Sequence, residues 1–334
     1  MARLIEEFTS AWQSLSGVIE ESGWRSISVF SPGPCDIKAA RHFPGNEESI
    51  LISFPNANLP RIEKLPEGVG FIVDRVDFGE VGKVCIALSR KESGNIELFA
   101  NMVCDVITVL DNNSNTEASN LLRMFLSRLH SWQEFMRRGI QALGPEEEIG
   151  LIGELFFLDS FIKMGASGQF IVESWVGPLN GIQDFEIGTG AVEVKATISS
   201  TGFVARIGSL EQLDDSLRQP LFLAVVKFTQ AEIGLNLPEF VDLVLTSLKG
   251  DANAESIFSE KLLSAGYLNL HAERYTRRFN MTSTRIIEVN DSFPRLTHGT
   301  VPTGVKRAVY DIDIDKVLGE NLGISEILIR LGAL

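Results

Sequence analysis

Cysteine and histidine are scarce in this chain, and their scarcity removes several kinds of chemistry at once. Only three cysteines occur, Cys35, Cys85 and Cys104. They are odd in number, far apart and without a C-x-x-C pair, so neither a disulfide framework nor a zinc knuckle is indicated. Cys85 and Cys104 fall in strand-like apolar runs and read as core residues. The four histidines, His42, His130, His271 and His298, stand at no ligand spacing and read as structural. There is no G-x-x-x-x-G-K-[ST] phosphate loop, no G-x-S-x-G elbow and no H-E-x-x-H helix. Long apolar runs are missing too: Leu221 to Val226 (LFLAVV) is strand-length, far short of the roughly 20 residues a membrane span needs. The opening MARLIEEFTSAWQSL carries Glu6 and Glu7 where a signal peptide needs unbroken apolar residues, and reads as an amphipathic helix. These absences point to the reducing cytoplasm. No fixed-period repeat, low-complexity tract or Gly/Ser linker is present, and 334 residues call for two lobes or one elaborated α/β domain.

Positive charge is also short. Thirty basic residues stand against 44 acidic, a net charge of −14, which repels a polyanion, so any nucleic-acid site must be locally basic. The candidates are Arg137 with Arg138, the cluster Arg274, Arg277 and Arg278 with Tyr275 interleaved, and Lys306 with Arg307. Each has a plainer reading as solvated surface, since isolated basic pairs occur on any protein.

Periodicity separates two regions. From about Ser26 to Leu110, short runs rich in Val, Ile and Phe (ILISF, GVGFIVDRV, VCIALSR, IELFANMVCDVITVL) are broken by Pro, Gly and Asn, the pattern of an antiparallel β-rich lobe. From about Asn115 to Gly139 the apolar spacing predicts a connecting helix. Residues 1–140 are therefore expected as the N-terminal lobe and 141–334 as a second domain. The second opens with a helix from about Pro145 to Met164, its proline suited to the first turn and Glu146, Glu147 and Glu148 matched to the helix dipole. Strand-like runs follow (FIVESW, QDFEI, AVEVKAT, PLFLAVVKF), then helices over roughly Leu237 to Lys249 and Ala254 to Ala265, and strand-like alternation from Arg285 to Ile314. That order predicts an α/β (α+β) arrangement with a mixed central sheet flanked by helices.

The segment that could carry chemistry is GIQDFEIGTGAVEVKAT, Gly181 to Thr197. Alternation places Glu193, Lys195 and Thr197 on one face of a strand and Val192, Val194 and Ala196 on the other. The preceding strand has Asp184 and Glu186 on one face. A two-residue Gly188-Thr189 loop of type II′ puts Asp184 opposite Glu193, whereas a three-residue loop without a bulge puts them on opposite faces; the even register is the one expected. Two carboxylates and an ammonium suit phosphodiester hydrolysis: Asp184, Glu193 and the Val194 carbonyl would hold Mg²⁺ or Mn²⁺, and Lys195 would orient the attacking water. The cation would also offset the repulsion between the acids. By itself a D-x(n)-E-x-K pattern arises about once by chance in a chain of this length, and the plainer reading is a solvent-facing hairpin. Glu154 adds weight, because its helical neighbours Gly150, Leu151, Phe157 and Leu158 put an acid on an apolar face. A metal ion or Lys195 would partner it; a structural ion pair is the alternative. Trp175 with Pro178 could shape a groove or simply pack.

The ordered pieces Gly150 to Leu158 (G-x-x-G-E-L-x-F-L), Ser174 to Pro178 (S-W-x-G-P), Asp184-Phe185, Val192 to Lys195 (V-E-V-K) and Ser209 to Leu213 (S-x-x-Q-L) resemble a bacterial family of PD-(D/E)XK, restriction-endonuclease-like proteins of unassigned role. The resemblance covers most of the chain and implies a restriction-endonuclease-like fold, a divalent metal, DNA as substrate and a setting near restriction or phage-defence genes. In that setting a methyltransferase or an ATPase are partners to look for, and a homodimer is open. Gln183 stands where the family usually has Pro before the first Asp. Gln212 matches a position where such nucleases often carry a polar active-site residue, with a surface role equally open. The implied activity is metal-dependent DNA cleavage; the alternative is a catalytically silent subunit that keeps the fold as a DNA- or protein-binding module.

Overall fold

The short runs rich in Val, Ile and Phe between Gly23 and Arg90 form strands, those at the centre of their sheet buried on both faces and the first, at its edge, largely exposed. In the computed structural model, which describes residues 2–17, 21–60, 64–79, 82–139, 141–200 and 202–334, the chain divides into two units, Met1–Ile140 and Gln141–Leu334. The first begins with α1 (Ala2–Leu15) and an antiparallel sheet of β1 (Gly23–Phe30), β2 (Asp36–Phe43), β3 (Glu47–Pro55), β4 (Phe71–Val76) and β5 (Lys83–Arg90), ordered β1-β2-β3-β5-β4. Helices α2 (Ile96–Asn112) and α3 (Ala118–Arg138) follow. Trp12 packs on Phe99 and Phe54 on Phe125, tying these helices and the sheet into one core. All three cysteines are free and buried; burial lifts the Cys35 thiol to about 11 and Cys104 to about 12, so both are inert core groups.

The run IELFANMVCDVITVL, expected as strand-like, is helix α2. Asn95 caps it, its side-chain oxygen accepting from Leu98 N at 2.9 Å, and ten of its residues are buried. Its polar positions Glu97, Asn101, Asp105, Thr108 and Asn112 do recur at helical spacing, but the apolar and β-branched residues that fill the rest of the run read equally well as a strand.

The second unit is built around a mixed sheet of β6 (Phe185–Ile187), β7 (Gly190–Thr197), β9 (Leu221–Leu235) and β10 (Phe279–Glu288), with β8 (Val204–Ile207) paired to β11 (Tyr310–Asp313) as a separate ribbon. Strands β6 and β7 are antiparallel, β7 and β9 parallel, β9 and β10 antiparallel. One face carries Val192, Val194, Phe222, Ala224 and Val226 against helices α4 (Pro145–Lys163) and α6 (Leu237–Leu248). The other carries Ala191, Leu221, Leu223 and Val225 against the β8–β11 ribbon. Helix α4 crosses β7 closely at Gly153, where a Cβ would stand 2.7 Å from that of Ala196. Helices α5 (Gly168–Ser174), α7 (Ala252–Ser264) and α8 (Ile324–Arg330) complete the unit. The run FIVESW, expected as a strand, lies mostly in α5, which starts at Ser167, whose hydroxyl accepts from Phe170 N at 3.5 Å. This is the α/β architecture expected of the chain, and among the described residues no helix is long and apolar enough to cross a membrane.

Candidate active site

The turn between β6 and β7 decides which acids meet. Ile187 pairs with Gly190, so the loop is the two residues Gly188-Thr189; Gly188 has φ +56° and Thr189 is not in the left-handed region, as a type II′ turn requires. One step beyond the paired Phe185 and Val192, the same register sets Asp184 opposite Glu193, the even register expected from the sequence. Asp184 then reaches past the end of its strand: its Oδ2 accepts from Val194 N at 2.7 Å, fixing it against the middle of β7.

Glu193 is 1% exposed, and its Oε2 has no hydrogen-bond partner among the described residues. Lys195 Nζ lies 2.6 Å from its Oε1 and forms an ion pair with it. Burial and the nearby Asp184 push the Glu193 carboxyl up to about 8, against the opposing pull of Lys195. Burial also raises Asp184, opposed by Lys195 and the Val194 N–H. On Lys195 burial acts to lower the pKa, but Glu193 and Asp184 outweigh it and keep the ammonium charged.

Glu154, on α4, joins this group. Its Oε2 accepts from Trp175 Nε1 at 2.7 Å, and burial, followed by Asp184, holds its carboxyl well above the ordinary range. The partner is thus an indole, with Lys195 acting only through the field. Gly177 marks where the acids converge: a Cβ there would lie 2.8 Å from Asp184 Oδ1 and 2.9 Å from Glu154 Oε2. Val176 N and Gly177 N both donate to the Asp184 carbonyl, at 2.8 and 3.0 Å. Trp175 is fully buried, so it packs and positions rather than lining a groove.

Four of the expected residues, Asp184, Glu193, Lys195 and Glu154, are therefore brought together. Val194 contributes a backbone N–H, with its side chain in the core. Gln212 stands apart: its Oε1 accepts from Gly208 N at 2.7 Å, and its link to the site is through Gln183 Nε2, which lies 3.3 Å from the Glu211 carbonyl and 3.4 Å from that of Gln212. The basic candidates are largely committed elsewhere. Arg277 pairs with Glu148, Arg278 with Glu239 and Arg137 with Glu134, while Arg274, Lys306 and Arg307 are exposed; the side chain of Arg138 lies outside the described residues. Trp175, Gly177 and Gln183 also take up positions at the site; the sequence left Trp175 between shaping a groove and packing, and gave Gly177 and Gln183 no role there. The only signal was their place in the S-W-x-G-P and Q-D-F pieces.

No group of three or more His, Cys, Asp or Glu among the described residues forms a ready metal cage. The donor set still fits Mg²⁺, which is commonly held by one or two carboxylates with the remaining positions left to water and phosphate oxygens. The buried Glu193 carboxylate beside Asp184, its Oε2 without a hydrogen-bond partner among the described residues, is the observation that supports the fit.

Neither a curated protein nor a solved structure matches the chain. A family model does, over residues 8–315, nearly the whole length. On that match the chain belongs to the family described as "Putative PD-(D/E)XK family member, (DUF4420)".

Proposed function

We propose that this protein is a divalent-metal-dependent nuclease that hydrolyses DNA phosphodiesters, in the setting of bacterial restriction or phage defence. The observation that carries the reading is Glu193, buried opposite Asp184 with Lys195 Nζ 2.6 Å from its Oε1 and no hydrogen-bond partner for its Oε2 among the described residues. Asp184 and Glu193 would hold Mg²⁺ or Mn²⁺, with the Val194 carbonyl and Glu154 as further donors. When bound, the cation supplies Lewis acidity at a phosphate oxygen and charge compensation between the carboxylates. The protein's own residues do the rest. Lys195 offers N–H donors toward a non-bridging phosphate oxygen or the attacking water, and orients that water in line with the scissile P–O bond. The water oxygen forms the new P–O bond as the opposite P–O ester bond breaks; the water gives up a proton and the leaving oxygen gains one. The Val194 N–H keeps Asp184 aimed, and Trp175 keeps Glu154 aimed.

The experiment is cleavage of supercoiled plasmid, linear duplex and single-stranded DNA in Mg²⁺ or Mn²⁺, with Lys195→Ala alongside. Loss of a positioned cationic donor should lower the rate by about 100-fold or more. Equal cutting by both proteins would remove Lys195 from the mechanism. A second reading, a silent nuclease-fold subunit that binds DNA or protein within a defence complex, draws on the net charge of −14 and on the arginines held in ion pairs. Absence of cutting by either protein, with a partner such as an ATPase or methyltransferase restoring it, would favour that reading.

A further inference from the structure

Lys261, on α7, is 6% exposed, and among the described residues its ammonium is met by backbone carbonyls, with Glu173 and Glu260 acting on it through the field. Its Nζ donates to the carbonyls of Val172, Glu173 and Trp175 at 2.9, 2.8 and 2.6 Å. All three ammonium N–H groups are thus spent at the C-terminal end of α5, where the helix dipole favours a cation. Burying a lysine is costly, and burial pulls this one down to about 8. Water or a glycine could satisfy a helix end without that cost.

The contacts made by Trp175, Val176 and Gly177 explain the arrangement. Trp175 gives its indole N–H to Glu154. Val176 and Gly177 give their backbone N–H groups to the Asp184 carbonyl. The Trp175 ring also lies against Phe258 of α7, with centroids 5.9 Å apart. Helix α7 therefore grips the Val172–Gly177 segment at two points, and the segment touches both acids.

We infer that Lys261 is a positioning residue: by anchoring Val172–Gly177 it holds Glu154 and Asp184 at the separation the site uses. Its consequence for metal binding rests on the nuclease reading; the anchoring itself does not. Asp184 Oδ2 is an acceptor of the Val194 N–H, so that amide reports the position of Asp184 whether or not a metal binds.

The test is Lys261→Met in the full chain, read by amide exchange at Val194 and by titration with Mn²⁺. If the anchor positions Asp184, Val194 exchange rises about tenfold while Leu155 and Val225 keep their rates, and Mn²⁺ affinity falls about tenfold or more. A uniform rise across all three amides, or none, would make Lys261 a merely structural residue and overturn the inference. So would unchanged Mn²⁺ affinity in Lys261→Met where Asp184→Ala loses it. If the wild type binds no Mn²⁺, the metal reading fails on its own and the selectivity of the exchange change decides the anchoring. Should Lys261→Met not fold, Lys261→Gln, with two donors on a shorter arm, is judged by the same outcomes.

Discussion

A carboxyl group as buried as Glu193, facing Asp184, keeps its proton to about 8, well above the ordinary Glu value of 4.5. Between those values the folded chain binds more protons than the unfolded chain, so stability is greatest at the acidic end and falls as pH rises through that window. Glu154 and Asp184 are shifted in the same direction and add to the slope. In chelator, Tm should therefore drop by about 4 °C or more from about pH 5 to about pH 8. Glu193→Gln should flatten part of that drop, and Mg²⁺, which needs the ionised form, should stabilise increasingly with pH. A pH-independent Tm in both proteins would remove the strained carboxyl. At this scale the sequence was informative where chemistry follows from alternation, as for Asp184, Glu193 and Lys195. It left Trp175 between shaping a groove and packing, because a tryptophan in an apolar stretch looks the same whether or not its N–H holds an acid.

Two glycines show how whole elements are fitted around the site. Gly153 lets α4 cross β7 beside Ala196, and Gly177 leaves room for the Asp184 and Glu154 carboxylates to converge. Gly177→Ala should push the acids apart, lowering Mn²⁺ affinity by about tenfold or more while Tm without metal changes little. A large loss of Tm with unchanged Mn²⁺ affinity would show that the glycine serves packing alone. The β6–β7 register was legible because a two-residue loop starting with glycine admits few geometries. Helices α2 and α5 were not: in α2 the narrow polar stripe of Glu97, Asn101, Asp105 and Thr108 is outweighed by apolar, β-branched runs, and α5 is seven residues long, too short for its period to show.

Charge is the property that belongs to the molecule as a whole. Gln141–Leu334 has 26 acidic and 16 basic residues, so the unit that carries the candidate site accounts for −10 of the −14. With Arg277, Arg278, Arg295 and Arg330 held by carboxylates, few of its cations are free to meet phosphates. DNA affinity in chelator should accordingly depend weakly on monovalent salt, with a log–log slope shallower than about −4. A steeper slope would reveal a locally basic surface that the net charge conceals. The fold class could be read from the order of helices and strands. The commitment of the arginines could not, since ion pairs such as Arg277 with Glu148 join residues far apart in the chain.

The hydrogen bond from Trp175 to Glu154 has an optical consequence. Trp12, Trp24 and Trp132 all lie in Met1–Ile140, so Trp175 is the single indole of the second unit, and its excited-state dipole points toward a carboxylate of the candidate site. Exchanging the proton on that carboxylate for a cation changes the field across the ring, and the emission should shift as Mn²⁺ or Mg²⁺ is added. Trp175→Phe supplies the background to subtract, and the unlabelled protein becomes its own gauge of whether the site is filled.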